Sequence, residues 1–444
     1  MPPFTRRRSL IVFLAVAALL ACASGQPEED VPAGPGMPSR SQRNRPVRPG
    51  ISVLMTDSLA LLAGKRVGLL TNQTGVNEKG VSDVDLLRQA ESDPRVKGMK
   101  LTTLFSPEHG IRGTEDRMNI LDSKDAATGL PVISLYGENT MPPPDSALDQ
   151  LDALVIDLQD IGARPWTYVA TMVYAVRAAG QHKIPVLVLD RPNPIGGDIV
   201  EGPVLDSSLA YAGSQSNERW AQPTALYPIP LRHGMTMGEL AKFYNEVLGL
   251  QADLHVIPMQ NWRRTRWYDK TGLPWVNPSP NMTSLTSAAL YPGIVLLESA
   301  NVSVGRGTPV PFQWVGAPWM DAKKVIDYLD DRPHPSVKFS VETYTPNNPT
   351  DKRYGGKTMK GIKITVVNRA ALQTTRLGAW LMWAIKKTHP DSFKVDSSSF
   401  SHLFGLADTR ARINAGEDPD QIVDGTLPAT VEFRRRTRPF LIYP

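Results

Sequence analysis

The chain has 444 residues, of which 41% are hydrophobic and 21% charged, with a formal net charge of +5 at neutral pH. That length can bury a sizeable core and exceeds one average domain, so a soluble globular protein of two or three domains is expected. Nucleic-acid binding is disfavoured: no Lys/Arg stripe interleaved with aromatics occurs in the body, and removing Arg6, Arg7 and Arg8 alone lowers the charge to about +2.

Residues 1–22 combine that basic start with an apolar core from Leu10 to Leu20 and the sequence Leu19-Leu20-Ala21-Cys22. This is the layout of an export signal, too short for a stable spanning helix. It also resembles a bacterial lipoprotein signal, which predicts lipidation at Cys22, a cell-envelope (periplasmic) location and a membrane anchor. Cys22 is the only cysteine, which excludes an internal disulfide. Ala23 favours outer-membrane sorting in a host with two membranes, and Thr5-Arg6-Arg7-Arg8 faintly suggests twin-arginine export. Residues 23–50, rich in Pro, Gly, Ser, Gln, Arg and acids, cannot bury enough surface to order themselves and are read as a flexible tether.

From Lys65 onward short apolar runs alternate with helical segments. Strands are predicted at Arg66–Leu70, Lys100–Phe105, Pro131–Leu135, Ala153–Leu158, Pro185–Leu189 and Leu254–Ile257. Helices are predicted near Asp83–Glu91, from about Trp166 to Gly180, and from Thr236, where Thr236 and Glu239 match a capping box. Runs such as Leu154-Val155-Ile156 and Val186-Leu187-Val188-Leu189 are continuously apolar, as in parallel strands covered on both faces. The fold class is therefore α/β, with a Rossmann-like, mostly parallel sheet over residues 51–295. A smaller α+β domain over 296–444 is predicted to hold a strand at Ile362–Val367, an amphipathic helix through Leu377, Trp380, Leu381, Ala384 and Ile385, and a helical tail ending in Phe440-Leu441-Ile442-Tyr443.

The predicted strand ends carry the chemistry. Asn72 and Gln73 follow the first strand; Glu108, His109 and Arg112 follow the second, within a glycine-punctuated turn. Gln159, Asp160, Arg164 and Tyr168 follow the run ending at Leu158, and Asp190, Arg191 and Asn193 follow Leu189. Asn277, Asn281, Glu298 and Arg306 repeat the pattern further on. Any one could be an ordinary capped turn, as Asn193 between two prolines illustrates, but ligands bind outside the carboxyl ends of parallel strands. Amides, arginines and aromatics together suit a polyhydroxylated, acetamido-bearing or carboxylated ligand.

Six of these segments, Gly68–Gly75, Ser106–Gly113, Asp157–Arg164, Asp190–Pro194, Asn277–Met282 and Glu298–Thr308, identify a resemblance that covers roughly residues 51–444. The chain resembles the NamZ-type exo-β-N-acetylmuramidases, formerly the DUF1343 group and now a glycoside hydrolase family. The resemblance implies a Rossmann-like domain and a smaller carboxy-terminal domain with the active-site cleft between them. It also implies hydrolysis of non-reducing terminal N-acetylmuramic acid from peptidoglycan glycans, and a catalytic glutamate at Glu108. Glycosidic cleavage needs an acid on the leaving oxygen and a stabilised oxocarbenium-like transition state. Glu108 is therefore expected as the acid with His109 tuning it. Glu298, Asp160 or Asp190, or the substrate's own acetamido group, is expected as partner. The lactyl carboxylate of muramic acid calls for an arginine, in the order Arg164, Arg191, Arg306.

Other readings stay open at this point. A non-catalytic periplasmic binding lipoprotein for muropeptides, or for another carboxylated sugar, would also have two domains and an anchor. A metallohydrolase would use His109 with Asp116 or Glu115, but no His-x-x-x-His or His-Glu-x-x-His spacing occurs, so no metal and no cofactor is expected. A nucleotide enzyme lacks both a Gly-x-Gly-x-x-Gly turn and a P-loop.

Overall fold

Continuous apolar runs require cover on both faces, and the first half of the chain supplies it with one large sheet. A computed structural model describes residues 45–117, 120–137, 142–210 and 223–444; the leader, Cys22 and the expected tether as far as Asn44 lie outside the described residues. The strands are β1 (Arg66–Thr71), β2 (Lys100–Ser106), β3 (Ser123–Lys124), β4 (Pro131–Ser134), β5 (Ala153–Asp157), β6 (Val186–Leu189), β7 (Glu201–Val204), β8 (Pro230–Arg232) and β9 (Leu254–Ile257). Seven of them form a sheet in the order β3-β4-β2-β1-β5-β6-β9, parallel throughout except for β3 on the edge. Every residue of β5 and β6 is buried, as their sequences predict. Strands β7 and β8 pair separately.

Three helices cover this sheet: α1 (Asp83–Ala90), α2 (Thr167–Gln181) and α3 (Met237–Val247). Ser82 caps α1 through the Asp85 amide, and both hydrogen bonds of the Thr236–Glu239 capping box form at α3. Strand β1 sits at the centre with β2 on one side and β5 on the other. The chain thus reverses its winding direction beside β1, and the loops leaving β1, β2 and β5 open a crevice at their carboxyl ends.

The second half begins with α4 (Leu285–Ile294). It continues through β10 (Trp314–Val315), α5 (Ala322–Asp330), β11 (Val337–Tyr344), β12 (Met359–Val366), α6 (Thr374–Thr388), α7 (Ser397–Phe404) and α8 (Leu427–Thr437). Strands β10, β12 and β11 form an antiparallel sheet in that order. Helices α4 and α6 approach so closely that a Cβ on Gly293 would lie 1.9 Å from the Thr374 carbonyl oxygen, and one on Gly378 2.2 Å from that of Gly293. Leu377, Trp380, Leu381, Ala384 and Ile385 of α6 are all buried, as their spacing predicts.

Three details differ from expectation. Strand β11 escaped the sequence reading because its polar residues face outward and only Val337 and Tyr344 are fully buried, which leaves little apolar signal. The tail is not helical to its end: α8 stops at Thr437, Arg438–Phe440 form one 3₁₀ turn around Pro439, and the chain then extends. Tyr443 so reaches the Met259 amide at 2.9 Å and Asp190 Oδ2 at 2.6 Å. Finally, residues 45–50, assigned to the tether by composition, pack on the body. Val47 is buried with Met259, Trp262 and Tyr443, and the Gly50 amide donates to the Asp190 carbonyl at 2.9 Å.

Candidate functional site

The turn after β2 is built by backbone conformation. His109 and Gly110 both have φ of 73° and reverse the chain immediately after Glu108. Gly113, at φ 67°, lies against the Gln73 side chain, where a Cβ would come within 2.0 Å. Gln73 in turn donates to the Asn277 carbonyl at 2.8 Å, fastening the loop after β1 to the Asn277 segment.

Glu108 is half-buried, and its Oε2 accepts from the Thr167 hydroxyl at 2.5 Å. Thr167 opens α2, so Glu108 also faces the positive end of that helix. Tyr136, hydrogen-bonded to Glu108, has its pKa raised by burial and then by the Glu108 charge. Tyr168 is fully buried, donates to the Pro278 carbonyl, and has its pKa pushed well up by burial and by Glu108. The expected role of His109 needs correcting, because its ring turns away to the loop. Nδ1 lies 2.7 Å from the Glu115 carbonyl and 3.7 Å from Asp116, and no described contact joins it to Glu108.

Tyr291 of α4 ties the halves together. Burial raises its pKa well above the ordinary value, the Glu298, Glu108 and Asp160 charges raise it further, and Arg306 opposes them. One hydroxyl therefore feels four charged groups drawn from loops far apart in sequence. Trp166 packs edge-on against both Tyr168 and Tyr291, with ring centroids 5.4 and 5.6 Å away. Beside them lie buried polar atoms with no protein partner: Gln159 Oε1, Asp160 Oδ1, Trp166 Nε1 and, after β1, Gln73 Oε1. Such atoms are uncommon in folded proteins and cost about 1–3 kcal/mol each, so several along one crevice mark a place shaped for a polar ligand.

The arginines divide sharply. Arg164, expected first as the carboxylate reader, donates to the His402 and Leu403 carbonyls at 2.8 Å each, capping the C-terminal end of α7, and burial lowers its pKa to about 9. Arg191 is spent on Asp157 and on the Val76 carbonyl at 2.9 Å, deep in the core. Arg112 pairs with Asp125. Arg306 differs: its one hydrogen bond among the described residues runs from Nε to Glu298 Oε1 at 2.5 Å, and no other described residue bonds the rest of its guanidinium. The guanidinium lies 5.3 Å over the Phe312 ring, within the field of Glu298, Tyr291 and Asp116. Among the described residues, no group of three His, Cys, Asp or Glu side chains is arranged to hold a metal ion.

A model of the N-terminal part of exo-β-N-acetylmuramidase NamZ matches residues 67–286, and one of its C-terminal part matches residues 289–443. The chain belongs to the NamZ family. It is 37% identical over 413 residues to the peptidoglycan β-N-acetylmuramidase NamZ of Bacillus subtilis (strain 168), covering 93% of this chain and 95% of that one. Two solved DUF1343-family proteins of Bacteroides fragilis share the fold, at 32% identity with TM-score 0.79 and at 28% with 0.68. Each alignment spans 90% of this chain and 99% of theirs.

The junction of the two NamZ models falls inside α4, so Glu108, Asp160 and Trp166 come from the N-terminal part, and Tyr291, Glu298 and Arg306 from the C-terminal part. Of the residues expected at the site, Glu108, Asp160, Tyr168, Glu298 and Arg306 gather around Tyr291, and Gln159 lies next to Asp160. Asn281 joins them through Asp116, to which its Nδ2 donates at 2.6 Å. Asn72 is buried beside the Tyr168 hydroxyl but spends its Oδ1 on the Thr74 amide and hydroxyl. Asn193 is satisfied locally by Met235 and Ile195, and Asn277 lies exposed with its Oδ1 on the Trp275 indole. The candidate site also contains residues the sequence reading missed: Tyr136, Thr167, Tyr291, the buried His233 and Asp351. Only Tyr291 carried a signal, as a polar-tipped aromatic in the mostly apolar run over residues 288–294.

Proposed function

We propose that this protein is an exo-β-N-acetylmuramidase that hydrolyses the β-1,4 bond of non-reducing terminal N-acetylmuramic acid in peptidoglycan-derived glycans. The single observation that carries the reading is the run of contacts from Glu108 through Thr167 and the neighbouring Trp166 ring to Tyr291, Phe312 and Arg306, along which that carboxyl and that guanidinium line one region. Glu108 protonates the leaving oxygen as the glycosidic bond breaks, held for transfer by Thr167 and Tyr136. Arg306 takes the lactyl carboxylate through its remaining N–H groups, while Glu298 fixes the guanidinium through Nε. Glu298 thereby serves as the orienting partner of Arg306 rather than as a nucleophile.

The layout of residues 1–22 supports export and lipidation at Cys22, with the enzyme anchored to a membrane on the periplasmic side and working in cell-wall turnover or salvage. Release of 4-nitrophenol from a β-N-acetylmuramic acid glycoside tests the activity directly. The wild type turns the substrate over and Glu108→Gln does not. Equal rates for the two proteins would reject Glu108 as the acid, and binding without turnover by the wild type would make it a non-catalytic receptor.

A further inference from the structure

We infer that Asp160 is the second catalytic group, accepting the N–H of the substrate's 2-acetamido group so that the acetamido oxygen attacks the anomeric carbon. This rests on the muramidase reading above. The carboxylates near the crevice differ in how many of their oxygens are engaged. Glu298 is held by Arg306, and Asp116 by Asn281 at 2.6 Å. Asp157 is paired with Arg191, and Asp190 accepts from the Arg191 and Gly238 amides and the Thr236 and Tyr443 hydroxyls. Asp157 and Asp190 thus have both oxygens engaged, while Glu298 and Asp116 each keep one oxygen that is not a buried, unpartnered one.

Asp160 is only half used. Its Oδ2 accepts from the Gly162 amide at 2.6 Å, and His233 Nε2 lies 3.2 Å from the same oxygen, bent away from ideal hydrogen-bond geometry and so chiefly an electrostatic contact. His233 is fully buried, and its Nδ1 accepts from the Met235 amide at 3.2 Å, which puts the ring proton on Nε2, facing Asp160. Oδ1 is buried with no partner. A carboxylate oriented from behind, with one oxygen left over in a dry crevice, is suited to a single N–H donor. The loops carrying Asp160 and Glu108 leave β5 and β2, with β1 between them, so their backbones stand roughly 10 Å apart, two strand spacings. The proposal places the substrate ring between them, with its leaving oxygen toward Glu108 and its acetamido group toward Asp160.

The steps balance. The acetamido oxygen forms a bond to C1 as the C1–O4 bond breaks, and Glu108 gives its proton to the departing oxygen. The resulting oxazolinium keeps its N–H on Asp160, whose charge offsets the cation. Water then attacks C1, the C1–acetamido oxygen bond breaks, and Glu108 takes the proton from water and is restored. Two inversions at C1 give net retention. His233 is a positioning residue in this scheme.

The test follows N-acetylmuramyl-β-1,4-N-acetylglucosamine hydrolysis by proton NMR and measures rates on 4-nitrophenyl muramides whose N-acyl group carries none to three fluorines. Expected are the β-anomer first and a kcat that falls with each fluorine. Asp160→Asn should lose about 10²–10³-fold in kcat, the scale of a lost electrostatic contact to the transition state. His233→Gln should lower kcat with KM nearly unchanged and the fluorine dependence intact. The α-anomer first, or rates indifferent to fluorination, would overturn the inference while leaving the muramidase reading standing, and so would Asp160→Asn within tenfold of wild type. Should Asp160→Asn fail to fold, the anomer and the fluorine series on the wild type still decide. A His233→Gln effect confined to thermal stability would overturn its positioning role. No hydrolysis by the wild type would overturn both readings together.

Discussion

Thr167 donates its hydroxyl to Glu108 across the mouth of the crevice, joining the first residue of α2 to the turn after β2 at 2.5 Å. Together with the hydrogen bond from Tyr136, this bond fixes which way the carboxyl faces. Hydrogen bonds to charged groups are worth about 1.5–3 kcal/mol. Thr167→Val is therefore expected to lower kcat about 10- to 100-fold with little change in the unfolding midpoint. Steady-state rates on a muramic acid glycoside check this; an unchanged kcat would remove Thr167 from the machinery.

Arg306 and Arg164 should separate cleanly. Arg306→Met is expected to cut kcat/KM about 10- to 100-fold on muramic substrates while leaving a glucosamine glycoside unaffected, since only the former carries a lactyl carboxylate. Arg164→Met should keep that selectivity but lose stability, because two α7 carbonyls lose their donor. Selectivity ratios and unfolding midpoints, measured side by side for both variants, test the division. The reverse pattern would return the reader role to Arg164.

The α4–α6 crossing gives a structural prediction. A methyl group on Gly293 has no room beside the Thr374 carbonyl, so Gly293→Ala forces the helices apart. Overpacking of this kind costs about 1–3 kcal/mol, and here backbone rather than a flexible side chain is in the way. Urea unfolding should show the loss; unaltered stability would mean that the helices can separate freely.

A buried carboxyl gives the pH dependence. Asp83 lies in the core beside Asp157 and Arg191, and burial, followed by the Asp157 charge, raises its pKa well above 3.8. A folded-state pKa above the unfolded one means that the native state binds the extra proton. Stability from this group is therefore complete at low pH and declines as pH rises above about 4 toward the folded value. Asp83→Asn imitates the protonated acid, so its melting temperature should gain on wild type between pH 5 and pH 8. A constant difference over that range would show that Asp83 is ionised throughout.

The sheet was legible because buried parallel strands must be apolar at every position, as β5 and β6 are, and the capping box at Thr236 announced α3. Strand β11 was not, since it is mostly exposed and its partner β12 lies beyond a long loop. The site was legible by loop: Glu108, Gln159, Asp160 and Arg306 follow from being at strand ends or in a glycine-rich turn. Side-chain direction was not legible. Arg164 and Arg306 look alike in sequence, yet Arg164 is drawn to the end of α7 by carbonyls more than 200 residues away, while Arg306 is held by its near neighbours Glu298 and Phe312. His233 was hidden for the same reason: its partner Asp160 is on another strand end.

The central claim is that the crevice around Glu108 and Arg306 releases N-acetylmuramic acid from a glycan end. Chromatography of N-acetylmuramyl-β-1,4-N-acetylglucosamine after incubation with wild type and Glu108→Gln tests it most directly. The account predicts free N-acetylmuramic acid and N-acetylglucosamine from the wild type and intact disaccharide from the variant. Intact disaccharide from both, or equal cleavage by both, would contradict it.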